Sequence, residues 1–276
     1  MENKTLIDTN PRLAQRSMQL VLVRANGPLF YSIATASLLE ALAPFYADRM
    51  RQFFRKDEVF SAWFDKEWLP RKAARAAALR QYVEKTWPEL DWAAAYEQCR
   101  SAVESDGGMG PRKPTAAHEA LAHCVAATQS GVFYRTVARW ADDAQLREMA
   151  AGMAREEALS FGHFRTAYER RARAQRFGVI SAWRTASACM RGARDLHLAV
   201  AFRALGAQCR AQVPFPVLEY PEFLTRMRAV IECHAGLGTA ERILLRTWKS
   251  RPRIIKRQET EAGISRNFRP VLRAAA

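Results

Sequence analysis

The chain is short of cysteine, of acidic residues and of unbroken apolar sequence. Its five cysteines (Cys99, Cys124, Cys189, Cys209 and Cys233) are scattered, odd in number and never in a C-x-x-C spacing. That pattern excludes a zinc ribbon or disulfide framework and fits reduced thiols, as in a cytoplasm. No apolar run reaches the roughly 18–20 residues of a membrane span. The nearest, Gly27 to Tyr46, is interrupted by Ser32, Thr35, Ser37 and Glu40 at helical spacing and reads as a buried helix. The first twenty residues carry Glu2, Asp8, Arg12 and Arg16 without an apolar h-region, so no secretory signal is expected and the location expected is cytoplasmic. Strand-like alternation is missing too, never lasting more than a few residues.

What is present is helix-forming and basic. The 276 residues are 49% hydrophobic, a globular composition with ample material for a core. Lysine and arginine number 43 against 28 acids, a net charge of +15 with a pI near 10.2. Such a balance attracts acidic partners: nucleic acid, anionic lipid or an acidic carrier protein. High arginine with high alanine equally reflects genomic base composition. Cations crowd the chain from Arg165 onward, through Arg170, Arg171, Arg173 and Arg176, and again in ERILLRTWKSRPRIIKRQ (241–258). That stretch reads as an amphipathic helix, docked on the protein or lying on a nucleic acid or anionic membrane.

Alanine, leucine, arginine and glutamate favour helix nearly everywhere. The first helix is expected over about Pro28 to Phe54, with proline in its opening turn. A second follows from about Lys56 to Thr86, kinked at Pro70, with Leu69 pushed from ideal α geometry. Asp91 caps a shorter helix, and Ser105 to Pro114 is the clearest loop. Thr115 opens a third core helix ending at Trp140; Asp142 or Asp143 caps a fourth, reaching about Phe177. Beyond Gly178, two or three helices are broken at Pro214-Phe215-Pro216 and around Gly236–Gly238. The reading is all-α: an N-terminal segment (1–27), a four-helix bundle (28–177) with a long crossover between helices two and three, and a basic C-terminal helical extension (178–276).

Dispersed residues in the bundle carry a resemblance: Trp68-Leu69-Pro70, Ala78-Leu79, Tyr134-Arg135 and His163-Phe164. Their arrangement resembles the ferritin-like di-iron carboxylate superfamily, to which rubrerythrins and acyl-carrier-protein desaturases are similar in outline. The resemblance covers roughly residues 28–172. It implies a glutamate on each of two helices and a Glu-x-x-His pair on each of the other two, all facing inward around iron or manganese. At those places this chain has Glu40 on the first helix, Lys72 and Arg75 on the second, Ala127 on the third, and Glu157 and Ser160 on the fourth. Two carboxylates and no imidazole are too few for such a centre, so no metal, cofactor or catalytic residue is expected there.

Two buried glutamates without metal would repel each other or take up protons. Lys72 and Arg75, three apart and so on one helix face, are expected to supply the missing positive charge, Arg75 pairing one carboxylate and Lys72 the other. In the alternative, Pro70 rotates the helix and both cations reach solvent. A displaced metal site built from Glu119, His123, Glu156 and His163 is a further reading, since Glu119 and His123 lie one helical turn apart; His118 is one residue off the zinc-helix spacing. Tyr31, Phe45, Tyr46, Phe53, Phe54, Phe60 and Trp63 suit either an acyl channel or plain core. The expected function is that of a ferritin-like protein without its di-iron site, a structural or regulatory partner of an active relative or acidic carrier protein, with a homodimer as one expected assembly. The alternatives are an oxidoreductase of desaturase type with a remodelled site, and a basic adaptor.

Overall fold

The computed structural model describes residues 19–105, 115–175, 177–191, 193–209 and 213–236, with Thr239 and Arg242. The fold is all-α. Among the described residues the only extended pairing is an isolated antiparallel bridge between Leu90 and Cys209.

Helix α1 (Gly27–Ala41) starts where Asn26 accepts a hydrogen bond from the Leu29 amide at 3.0 Å, with Pro28 in the first turn. It stops at Leu42, and α2 (Ala43–Phe54) follows directly. The expected single helix over Pro28–Phe54 is therefore two. The cause is Pro44, which has no N–H for the Glu40 carbonyl and whose ring crowds it. Asp57 caps the short α3 (Glu58–Trp63) through the Phe60 amide. A π turn over Phe64–Trp68 then leads into α4 (Leu69–Thr86). Pro70 disturbs the chain as expected, but at a different residue. Leu69 keeps α geometry (φ −61°, ψ −48°), and the widened turn ahead of it absorbs the missing Pro70 donor, Leu69 bonding back to the Phe64 carbonyl.

Asp91 caps α5 (Trp92–Ser105) through the Ala94 amide. The expected loop that follows lies, over 106–114, outside the described residues. Thr115 caps α6 (Ala116–Trp140), and Asp143, rather than Asp142, caps α7 (Ala144–Ala174) by accepting from the Gln145 and Leu146 amides. Three helices follow: α8 (Val179–Arg191), α9 (Ala193–Gln208) and α10 (Tyr220–Ala235), the last ended by Gly236 at φ +77°, where a side chain would be strained.

Named contacts fix the directions. Arg75 meets Glu40 while Trp87 bonds to the Arg24 carbonyl, so α1 and α4 are antiparallel. Gly131 faces Glu157 while the Ala117 amide meets Gln175, so α6 and α7 are antiparallel. Trp68 meets His123 and Arg75 meets Tyr134, so α4 and α6 run parallel, with α5 in the connection between them.

Two aromatic-rich clusters form most of the core. One, at the α3 end, holds Phe54, Phe60, Trp63, Phe64, Trp68 and Phe164. The other holds Phe30, Tyr31, Trp87 and Trp92, and α9, α10 and the segment between them join it. Phe202 stacks on Tyr31 with centroids 4.6 Å apart, and Phe215 and Phe223 pack beside them. Gly27 lets the Phe215 ring come close, because a Cβ at that position would lie 3.0 Å from it and the ring would have to give way. Tyr31, Phe54, Phe60 and Trp63 are thus interior packing. The stretch Gly27–Phe45 is long and apolar enough to cross a membrane, but 72% of its apolar window is buried inside the protein.

Candidate functional site: a buried ion quartet

At the place where α1, α4, α6 and α7 converge lie two carboxylates and two cations. Glu40 comes from the last turn of α1, just before the Pro44 break; Lys72 and Arg75 come from the first two turns of α4; Glu157 comes from the middle of α7. Arg75 divides its guanidinium between the acids. Nη1 donates to Glu157 Oε1 at 2.7 Å and Nη2 to Glu40 Oε1 at 2.6 Å. Lys72 Nζ lies 2.9 Å from Glu157 Oε1 and 3.0 Å from Glu40 Oε2. The Glu40 contact is poorly aligned for a hydrogen bond, so it acts by charge. Instead of the expected one-to-one pairing, each cation serves both carboxylates. Both point inward, and the solvent-facing alternative does not hold.

The quartet sums to zero formal charge and is nearly dry. The Arg75 and Glu157 side chains are 5% and 3% exposed; Lys72, at 15%, is its most open member. A tyrosine completes it. Tyr134 on α6 donates its hydroxyl to Glu40 Oε1 at 2.8 Å, and the Arg75 guanidinium lies 4.9 Å from the centre of its ring. The Trp68 ring lies 5.5 Å from Lys72 Nζ. Burial alone would raise the Glu157 carboxyl pKa, but Lys72 and Arg75 hold it below its ordinary value. Burial likewise opposes charge on Arg75, yet Glu40 and its neighbours raise its pKa above the usual arginine value. Burial and the Glu40 charge drive the Tyr134 phenol far upward, which keeps it a hydrogen-bond donor.

Ala127 and Ser160 are buried on the same helices, and neither can ligate a metal as histidine or glutamate would. The donor set does not fit a di-iron centre. Glu40 and Glu157 are already occupied by fixed cations, and a pair of divalent ions would face two like charges at close range.

The residues of the displaced-site reading do not converge. Glu119 is buried between Arg49 Nη2 at 3.0 Å and His123 Nε2 at 3.5 Å, and these partners together outweigh burial and lower its carboxyl pKa. His163 instead stacks flat on Trp63, at 4.2 Å between centroids, where burial lowers its pKa. Glu156 has a buried carboxylate oxygen with no hydrogen-bond partner among the described residues. No group of three or more His, Cys, Asp or Glu is placed to hold a metal among the described residues. His118 is a staple between helices, its ring nitrogens 2.8 Å from the Thr115 hydroxyl and 3.2 Å from that of Ser181. Of the basic C-terminal stretch, everything after Arg242 lies outside the described residues.

Two functional contacts escaped sequence reasoning. Tyr134 was visible only as part of the Tyr134-Arg135 pair, and Arg49 has no local link to Glu119, seventy positions away. No family model, no curated protein and no solved structure matches this chain.

Proposed function

We propose that the chain is a ferritin-like helical bundle in which an internal ion quartet stands in place of a di-iron centre, and that it acts without redox chemistry as a structural or regulatory protein in the cytoplasm. The observation that carries this reading is the quartet itself. Glu40, Lys72, Arg75 and Glu157 lie at the positions the resemblance assigns to metal ligands, and they meet in space rather than facing solvent. The up-down, crossover, up-down course of α1, α4, α6 and α7 supports the same reading, because parallel second and third helices require a long connection. Lysine and arginine neutralise the two acids without an exchangeable ligand, so the centre stabilises and does not turn over. Its partner would be another protein, an active relative or an acidic carrier suiting the net charge of +15.

The test is metal analysis of the protein purified from cells supplemented with iron and manganese. Well under one equivalent per chain is expected. Two tightly held equivalents would overturn the reading in favour of a metal-dependent oxidoreductase.

A further inference from the structure

The α3 end of the molecule joins two segments far apart in sequence into one basic, partly apolar surface. Asp57, at the α2–α3 turn, is gripped by Arg170 of α7 at 2.9 Å and faced by Arg171 at 3.9 Å. The turn itself carries Arg55 and Lys56, both exposed, and α7 leads on to the exposed Arg173. The next helix, α8, begins beside them: Phe177 packs edge-on to Tyr168, and Ala182 lies in the same core cluster as Phe60 and Ala172. On α8, Ile180 and the exposed Arg184 stand one turn apart on a single face. Arg55, Lys56, Arg165, Arg170, Arg171, Arg173 and Arg184 are seven cations against Asp57, Glu58 and Glu169 on the same segments, Glu169 being paired with Arg165, an excess of four positive charges.

Among these cations stand two of the most exposed large aliphatic side chains described, Val59 at 72% and Ile180 at 70%. A single exposed aliphatic residue is ordinary. Two of them, on segments that meet at this end and that also carry the arginines and the lysine, make the combination that partitions to the headgroup boundary of an anionic bilayer. Cations there meet lipid phosphates while aliphatic side chains enter the acyl edge. A nucleic acid would reward the charge but not the two aliphatics, since single strands are gripped by exposed aromatic rings.

We propose that this end of the molecule, made by the α2–α3 turn, the C-terminus of α7 and the start of α8, docks on membranes rich in anionic phospholipid. The surface is independent of the ion quartet and stands whether or not that centre once bound metal. Docking is peripheral and reversible: Val59 and Ile180 dip in, and the helices stay outside.

The experiment is flotation of the full chain with vesicles of phosphatidylcholine, with and without phosphatidylglycerol. Binding is expected only to the anionic vesicles and should fall with added salt. Each cation near such a surface contributes a factor of about five in partition. Arg173→Gln with Arg184→Gln should therefore weaken binding about 25-fold, and Val59→Ser with Ile180→Ser should weaken it without changing its salt dependence. All four positions are exposed, and unchanged melting temperatures will show that the variants fold. Equal binding to neutral vesicles, no binding, or full binding by both double variants would overturn the proposal. So would retention of single-stranded DNA in preference to anionic vesicles, with the Val59/Ile180 variant unimpaired.

Discussion

At the scale of single residues, the quartet sets a sharp asymmetry between breaking an ion pair and replacing it. Arg75→Ala leaves Glu40 and Glu157 buried with only Lys72 between them and should cost about 3–5 kcal/mol, measured by denaturant unfolding. Replacing all four charged groups together with apolar ones (Glu40→Leu, Lys72→Met, Arg75→Met, Glu157→Leu) should cost less than Arg75→Ala, because no charge is stranded. If the single and quadruple variants lost equal stability, the pairs would not be acting as a unit. The acid limb gives a second test. Glu157 is held below its ordinary value near 4.5, so in the window beneath that value the unfolded chain binds more protons than the native one. Its contribution is complete above pH 4.5 and is lost as pH falls through the lowered native value. Melting temperature should therefore drop with pH in that range, and less steeply in Glu157→Gln; identical slopes would remove the carboxylate from the account. A spacing of three made it legible that Lys72 and Arg75 share one helix face, but which way that face turns was open in the sequence and is decided by the packing around Glu40 and Glu157. The partner of Tyr134 was not legible, because nothing local to α6 says which carboxylate its hydroxyl will meet.

Whole elements in this chain are set by proline and by capping acids, and their effects differ in how far they can be read from sequence. Thr115, Asp91 and Asp143 announce helix starts because an N-cap needs only its own side chain and an amide two or three residues on. The consequences of proline were harder to place. Pro44 lies in the interior of the single helix expected over Pro28 to Phe54, where its missing N–H was a signal that the expectation passed over; it divides α1 from α2 and leaves Glu40 at the break. Pro70 signals a disturbance, but not that it appears as a π turn over Phe64–Trp68, whose two end residues stack on each other at 4.9 Å within the aromatic core. Asp57 separates capping from ion pairing. Asparagine caps about as well as aspartate, so Asp57→Asn removes only the Arg170 and Arg171 interactions, whereas Asp57→Ala also gives up the Phe60 amide. The alanine variant should be about 1 kcal/mol less stable than the asparagine variant in urea unfolding. Equal midpoints would mean that Asp57 matters to α3 only through its charge.

For the whole molecule, the basic C-terminal segment is less an appendage than its composition suggests. Arginine-rich sequence predicts solvated faces well, but it hides the few aromatics, Phe202, Phe215 and Phe223, that reach across to Tyr31 on α1. Such contacts join residues nearly two hundred positions apart and leave no local pattern. The proposed ancestry of the bundle can be tested at this scale by reversing the exchange of metal for cations. Lys72→Glu, Arg75→His, Ala127→Glu and Ser160→His would place four carboxylates and two imidazoles at the convergence of the four helices, with Glu40 and Glu157 already there. Formal charge at the centre would pass from zero to four negative, which two divalent ions neutralise and water cannot reach to screen. Without metal this variant should be much less stable than the wild type, since buried like charges repel and raise one another's pKa values. With manganese at a hundred times its dissociation constant, stability should recover by about 2.7 kcal/mol for one site and more for a coupled pair. The measurement is melting temperature against added manganese; the wild type, whose two carboxylates are both paired with fixed cations, is expected to show no shift. A folded variant that ignores manganese would mean that the four helices do not bring these positions together as metal ligands, and the ferritin-like reading would fall with it.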